Sequence, residues 1–540
     1  MFYYFPNNYT WSSAVMLCLM ASGQLGQIDR WLAPLRDGDP DDNAWTTAWD
    51  NAAAEQEEHA NSELQQGFTR SASARCLRAA TYYLTGERQT PPGPAKTRSY
   101  AAALRAFAAA MRYSPHPAER IEIDSADGLL PGHLIPTHAD EPAPVVIFYN
   151  GFDVTKEILY SIIGQQFADR GIACLVIDTP GTGEPLRLRG VASRPDYEVP
   201  TSAIVDYLQT RDDLDATRIG LLGISLGGYY APRGAAYERR IRACAAWGGV
   251  YDYGAVWQHR WESSSRTTSV PFWQLPWVMG TDTMEQALNR VKQWTLADAL
   301  PHLTQPLLIV HGEHDQAIPV QDARRAHAAA GSTDKQLRVF TQAEGGSEYC
   351  NADDPDPARQ LIADWFADRL GTIPTRHRAT PTAGQSNNHH IGAGFDGEYV
   401  PSPDKRAREQ VSAYEASGGV EGATLEGKPV VILTSLGAKS GKVRKNPVMR
   451  IVDGDRYIAV ASAAGSQKNP SWYANLVAHP VVRLQDGAVI REFRAREVAG
   501  EEKTYFWGVA ERFWPHFPEY RRLAQGRDIP IMVLEPITDV

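Results

Sequence analysis

Between residues 11 and 113, apolar side chains recur every three or four positions, as in SARCLRAATYYLTG and SYAAALRAFAAAMRY, and QTPPGP interrupts the run. That spacing predicts amphipathic helices, so residues 1–120 are expected to form an all-helical N-terminal region. The pattern then changes to short β-branched runs: VVIFY, ACLVID, RIGLLGIS, RACAAWGG, PLLIVHG and QLRVFT, separated by helical stretches. Six strands alternating with helices predict a doubly wound, mostly parallel sheet over residues 121–371. Residues 372–404 are rich in Gly, Pro, Ser and Asn with no apolar period, which predicts a flexible linker. His389 and His390 inside it read as a solvated pair rather than a metal site. Residues 405–540 open with the helix KRAREQVSAYEAS and continue as PVVILTS, RYIAVAS, VVRLQDG, REFRAREV and PIMVLEP, with one helix near 504–513. Short strands in succession predict a small β-barrel.

Length and composition agree with several domains. A chain of 540 residues is too long for one core, and 43% hydrophobic with 22% charged residues is ordinary for a water-soluble protein. The net charge of -10 disfavours a general nucleic-acid surface and leaves a small molecule as the expected partner. Five scattered cysteines without CxxC or Cys/His spacing fit a reducing cytoplasm and suggest no metal. The apolar stretch at 14–21 is too short for an export signal, and no run is long enough to span a bilayer.

The first candidate chemistry is Gly223-Ile224-Ser225-Leu226-Gly227, a G-x-S-x-G segment between a buried strand and a helix. That context is a nucleophile elbow, in which small residues allow a turn tight enough to expose the Ser225 hydroxyl. The oxyanion hole then needs the N–H of Leu226 and one from the loop after an earlier strand, for which Phe152 is the candidate. Asp315, after the strand LLIVHG, occupies the position of a triad acid, and His311 and His314 read as loop residues rather than bases. With NGFDVTKE, DTPGTGE, GISLGGYYAPR and GGVYDY, these residues make 60–370 resemble the α/β-hydrolases that carry an N-terminal helical region, a family that includes dihydropseudooxynicotine hydrolase and fungal heptaketide-shortening hydrolases. The resemblance implies cleavage of an ester, or of a C–C bond next to a ketone, through an acyl-enzyme on Ser225. Any homodimer is expected through this part. It also implies a catalytic histidine in a GG-x-E-H-C-like segment, which here reads Gly345-Gly346-Ser347-Glu348-Tyr349-Cys350. A phenol of pKa near 10 cannot take the serine proton at neutral pH as imidazole does. Three readings stay open: hydrolysis is lost, another base serves, or Tyr349 donates a proton in non-hydrolytic chemistry.

The second is Gly437 to Pro447, read as a basic, glycine-rich turn between two strands and suited to phosphate or carboxylates. It lacks P-loop spacing. Together with Lys468 to Leu476 it makes residues 405–537 resemble the deazaflavin (coenzyme F420)-dependent nitroreductases, which have a split β-barrel fold. By position, the resemblance implies that Lys439, Ser440, Gly441, Arg444, Lys445, Asn446, Pro447, Val448 and Met449 hold the coenzyme's phosphate and side chain. Val460, Ala461, Ser462 and Ala463 would flank the ring, and Ser471, Trp472, Tyr473, Ala474 and Asn475 would complete the pocket. Ser462 matches a serine that assists protonation. Met449, Trp514, Phe517 and Tyr520 take the places of a tyrosine-lined substrate wall, so an enone or quinone-like C=C is favoured over a nitroimidazole. Related split barrels bind FMN or haem, which remain the alternative cofactors. The expected whole is a bifunctional enzyme, with a binding or scaffolding role for the hydrolase-like part as the alternative.

Overall fold

The computed structural model describes residues 3–36, 41–137, 142–152, 154–263, 268–372, 395, 398–417, 419, 421–425, 427–453, 456–487 and 489–537. Most of the expected linker, including His389 and His390, lies outside the described residues. The chain forms two compact units, Met1–Ala379 and Thr380–Val540.

The first unit begins with the helices Tyr9–Ala21, Leu25–Leu32, Asp42–Gln65, Thr69–Gln89 and Pro94–Tyr113. Their core is aromatic. Trp11 and Trp45 have ring centroids 4.7 Å apart, Trp45 and Trp49 5.5 Å, and Trp49 and Tyr82 5.4 Å. From Thr81 to Gln89 every residue is buried, charged Glu87 and Arg88 included, because this end of the helix packs into the rest of the unit. There the Arg187 guanidinium grips Glu87 through two bonds of 2.9 and 3.0 Å.

The sheet of this unit contains β1 (Glu119–Ile123), β2 (Leu130–Ile135), β3 (Ala143–Tyr149), β4 (Ala173–Ile177), β5 (Leu214–Ile224), β6 (Ile241–Trp247), β7 (Leu307–Gly312) and β8 (Lys335–Phe340), in the order β1-β2-β4-β3-β5-β6-β7-β8. The six expected strands are β3 to β8, all parallel. Both faces of β3, β4 and β7 are buried, which explains their unbroken apolar runs. The antiparallel β1 and β2 extend the six-strand expectation. They escape a search for apolar runs because β1 alternates charged and apolar residues and β2 contains Pro131-Gly132. His311 corrects a second expectation, since it lies within β7 and is 1% exposed rather than on a loop.

The second unit is an antiparallel sheet of β9 (Thr424–Leu425), β10 (Lys428–Leu436), β11 (Val443–Met449), β12 (Val452–Asp453), β13 (Arg456–Val460), β14 (Val481–Asp486), β15 (Val489–Glu497) and β16 (Ile531–Pro536). Its order is β11-β10-β14-β15-β16-β13-β12, with β9 against β10. Alternate residues of β10 serve different layers. Val430 and Ile432 pack with Val411 and Tyr414 of helix Lys405–Ala416, while Val431 and Leu433 pack with Trp472 and Leu476 of helix Ser471–Ala478. The basic turn is shorter than the sequence suggested. Gly437 closes it onto Lys442 with an N–H···O bond of 2.8 Å, and Val443 onward is strand β11, so Arg444 to Pro447 are strand residues.

Candidate functional sites

Ser225 follows β5 and precedes helix Gly227–Tyr237, with φ of +58°. Left-handed backbone is costly for a residue with a side chain, and here the surroundings enforce it. A Cβ on Gly223 would come within 2.0 Å of the Gly227 carbonyl oxygen, so only glycine lets the chain fold back this tightly. Gly151 abuts the other side, where an added Cβ would meet Ser225 Cβ at 2.8 Å. Among the described residues, no acceptor is found for the N–H of Phe152 or of Leu226, which leaves both donors available next to the serine. The Phe152 loop is anchored from below by buried Asp178. Its Oδ1 accepts from Asn150 Nδ2 at 2.7 Å and Lys156 N–H at 2.9 Å, and its Oδ2 accepts from Lys156 Nζ at 2.8 Å. Burial pulls the Lys156 ammonium down, but Asp178, Glu157 and Glu184 outweigh it and hold its pKa above the ordinary lysine value.

Tyr349 stands where the resemblance implies histidine, and its hydroxyl is hydrogen-bonded to Ser225 Oγ. Its loop is tied down by hydrogen bonds. Asn351 Oδ1 accepts from Trp247 Nε1 at 2.8 Å, Asn351 Nδ2 donates to the Gly346 carbonyl, and Asp353 accepts from the N–H groups of Ser347 and Glu348. Asp315 Oδ1 accepts from the N–H groups of Ala317 and Ile318, both at 2.8 Å. Its Oδ2 is buried without a hydrogen-bond partner among the described residues, the His311 Nε2 atom standing 3.6 Å away. Burial raises the Asp315 carboxyl above the usual range, against the pull of His311 and the two backbone donors. His311 cannot replace the missing base. Its Nδ1 accepts from Gly249 N–H at 3.0 Å and its Nε2–H donates to the Ile318 carbonyl at 2.9 Å, so both ring nitrogens are engaged. A small, largely apolar cavity opens onto Ser225 and Tyr349, walled by Met16, Leu17, Met20, Val154 and Ile224 and bordered by Arg88.

In the second unit two cavities divide the expected residues. One is lined by Pro447, Val448, Met449, Val460, Ser462, Ala463 and Trp472, together with Trp514, Phe517 and Tyr520. The other is lined by Lys439, Ser440, Arg444, Lys445 and Asn446, with Ser471, Ala474 and Asn475. Gly441, Ala461 and Tyr473 line neither. Gly441 forms the turn at φ +63°, Ala461 is fully buried, and the Tyr473 hydroxyl donates to Glu497 at 2.7 Å. Asn475 braces the turn, accepting from Ala438 N–H at 2.9 Å and donating to Ser435 Oγ at 3.3 Å. Lys445 pairs with Glu415 at 2.6 Å and lies over the Tyr399 ring.

Comparison with known proteins agrees with both units. The 2,6-dihydropseudooxynicotine hydrolase of Paenarthrobacter nicotinovorans is 31% identical over 368 residues, covering 67% of this chain and 91% of its own. The chain belongs to the α/β-hydrolase family of that enzyme. A crystal structure of 2,6-dihydroxy-pseudo-oxynicotine hydrolase superposes with a TM-score of 0.57 at 26% identity, over 66% of this chain and 95% of the other. Residues 38–259 also match the family described as esterase FrsA-like, and 160–372 the prolyl oligopeptidase family. Residues 406–536 match the F420-H2-dependent quinone reductase family. A solved F420-H2 dependent reductase (FDR-A) is 42% identical over 20% of this chain and 94% of its own, with a TM-score of 0.19. This is therefore an enzyme with a hydrolase domain fused to a reductase domain that depends on reduced F420. Among the described residues, no helix is long and apolar enough to cross a membrane.

Asp178 and Lys156 support the Phe152 loop, a role that the sequence did not mark although both lie in the motifs that carry the resemblance. Nor did it mark Arg527, which donates to the carbonyl groups of Ala461 and Ser462. Nothing local in the sequence marks that residue.

Proposed function

We propose that the reductase domain, residues 405–540, reduces an activated C=C or quinone with reduced F420, and that the Ser225 centre of residues 121–371 binds a carbonyl compound without hydrolysing esters at a useful rate. The observation behind the second half is the pairing of the Tyr349 hydroxyl with Ser225 Oγ while Asp315 Oδ2 has no hydrogen-bond partner among the described residues. In a triad, one imidazole bonds both groups, taking the serine proton and leaning on the acid. Here the group beside the serine is a phenol, a proton donor at neutral pH. A carbonyl oxygen held by the N–H groups of Phe152 and Leu226 would find Tyr349 as a further donor, which favours enol or enolate chemistry over acyl transfer.

The donor set of the second unit fits F420. The cations Lys439, Arg444 and Lys445, with the Ser440 hydroxyl, suit a phosphodiester and carboxylate tail, and the more apolar cavity lined by Pro447, Val460 and Trp472 suits a flat ring. Bound there, reduced F420 supplies a hydride. Ser462, on the wall of that cavity, delivers the proton that the resulting enolate or hydroquinone anion requires. Trp514, Phe517 and Met449 exclude water from an apolar acceptor, and Tyr520 is the one phenol on that wall.

Fluorescence titration of the purified protein with F420 and, separately, FMN tests the cofactor, since FMN binding without F420 binding would remove the reductase half. Product masses from reactions of reduced F420 with an enone, comparing wild type with Ser225→Ala, test the other half. Loss of one product supports chemistry at Ser225, and an unchanged profile leaves that domain a binding module.

A further inference from the structure

Arg527 lies outside every motif that carries the family resemblance, yet it donates to four residues of the 461–469 segment, among them Ser462 on the cavity wall. Its Nη1 donates to the Ala461 carbonyl at 3.1 Å and to Asn469 Oδ1, its Nη2 to the Ser462 carbonyl at 2.9 Å, and its Nε to the Ser466 carbonyl at 2.9 Å. These acceptors bracket an unusual turn. Ala463, Ala464 and Gly465 are successively left-handed, with φ of +46°, +52° and +81°. Two adjacent alanines in that region are strained and persist only where the surroundings over-determine them. Ser462, Ala463 and Ala464 all line the cavity. On its other side the turn presses against the opposite wall, since a Cβ on Gly465 would stand 2.7 Å from Leu523 Cβ and 3.1 Å from the Tyr520 carbonyl oxygen.

We infer that Arg527 is a positioning residue for reduction: one guanidinium clamps the 461–469 loop and so holds Ser462 and the strained 463–464 wall where the substrate reacts. The inference rests on the reading of this cavity as the reductase site. A guanidinium suits the task because its fork of donors reaches acceptors spread over nine residues, which a single ammonium cannot do. The basic groove that would hold the cofactor tail is built by other segments, around Lys439 and Arg444, and Arg527 does not line it.

The test compares wild type, Arg527→Met, Arg527→Lys and the double variant Arg527→Met/Ala464→Gly in the full chain. The first readout needs no ligand: amide hydrogen exchange over 461–469, with β14 and β15 as the control that the domain is folded. Both single variants should exchange at least tenfold faster in that loop alone. The second is F420 affinity by fluorescence against kcat for reduction of a simple naphthoquinone. Arg527→Met should lower kcat at least tenfold while changing the F420 Kd less than threefold. Glycine accepts the left-handed turn without strain, so Ala464→Gly should restore at least threefold of the lost kcat and slow the exchange. Wild-type exchange in Arg527→Met, parallel loss of F420 binding, or failure of the glycine to rescue would each overturn the inference. A wild type that does not bind F420 would instead overturn the reading of the cavity, and the exchange data would still decide whether Arg527 clamps the loop.

Discussion

Replacing Tyr349 with histidine should turn a slow ester hydrolase into a competent one. At pH 7 a phenol of ordinary pKa offers about one anion in a thousand, whereas about three-quarters of an ordinary imidazole is the neutral base. General base catalysis contributes roughly 10²–10⁴-fold. On the proposed reading, Phe152 and Leu226 N–H and Asp315 stand ready around Ser225, and among the described residues Asp315 Oδ2 lacks the N–H that an imidazole would bring. Tyr349→His should therefore raise kcat/KM for p-nitrophenyl acetate by about 10²-fold, or about 2.7 kcal/mol of transition-state stabilisation. The gain should climb with pH through the imidazole range near about 6.5. It should also depend on Asp315, so that adding Asp315→Asn to Tyr349→His removes most of it, while Asp315→Asn alone changes the wild-type rate less than about twofold. Stopped assays with a serine-directed fluorophosphonate as active-site titrant measure both rate and competent sites. A fast wild type blocked by that reagent, or a Tyr349→His protein that is fully labelled yet no faster, would refute the reasoning.

Asp315→Asn should also stabilise the first unit at neutral pH. Burial raises the carboxyl of the native state, so ionisation costs stability as pH rises above the unfolded value of about 4. The amide should gain about 1–2 kcal/mol at pH 7 and nothing below about pH 4, read from denaturant melts across pH. Gly223→Ala should cost about 3 kcal/mol or more, because its Cβ would meet backbone oxygen at 2.0 Å; melting and fluorophosphonate labelling of Ser225 would both report it. Lys439→Ala and Arg444→Ala should each weaken F420 binding about tenfold at low salt, with less loss at high salt, as titrations at two ionic strengths would measure.

Much of the molecule was legible in the chain because its signals are local. Strands buried on both faces appear as apolar runs, helices as three- and four-residue periods, and the elbow as three glycines around Ser225, since each depends on neighbours in sequence. Strands without such runs, β1 and β2, were not legible, nor was the end of the basic turn at Lys442, where charged residues continue as strand because β10 pairs with them.

The sequence by itself determined that a tyrosine follows Glu348 and that Asp315 follows a buried strand. Only the tertiary structure decided that the phenol meets a serine 124 residues earlier, that Asp315 Oδ2 is left without a hydrogen-bond donor among the described residues, and that both nitrogens of His311 are spoken for. It likewise turned Tyr473 away to Glu497 and brought Arg527 to carbonyl groups more than sixty positions distant. The physical reason is the same in each case. Side-chain direction and hydrogen-bond partners are set by which distant backbone closes around a group, and no local period encodes that.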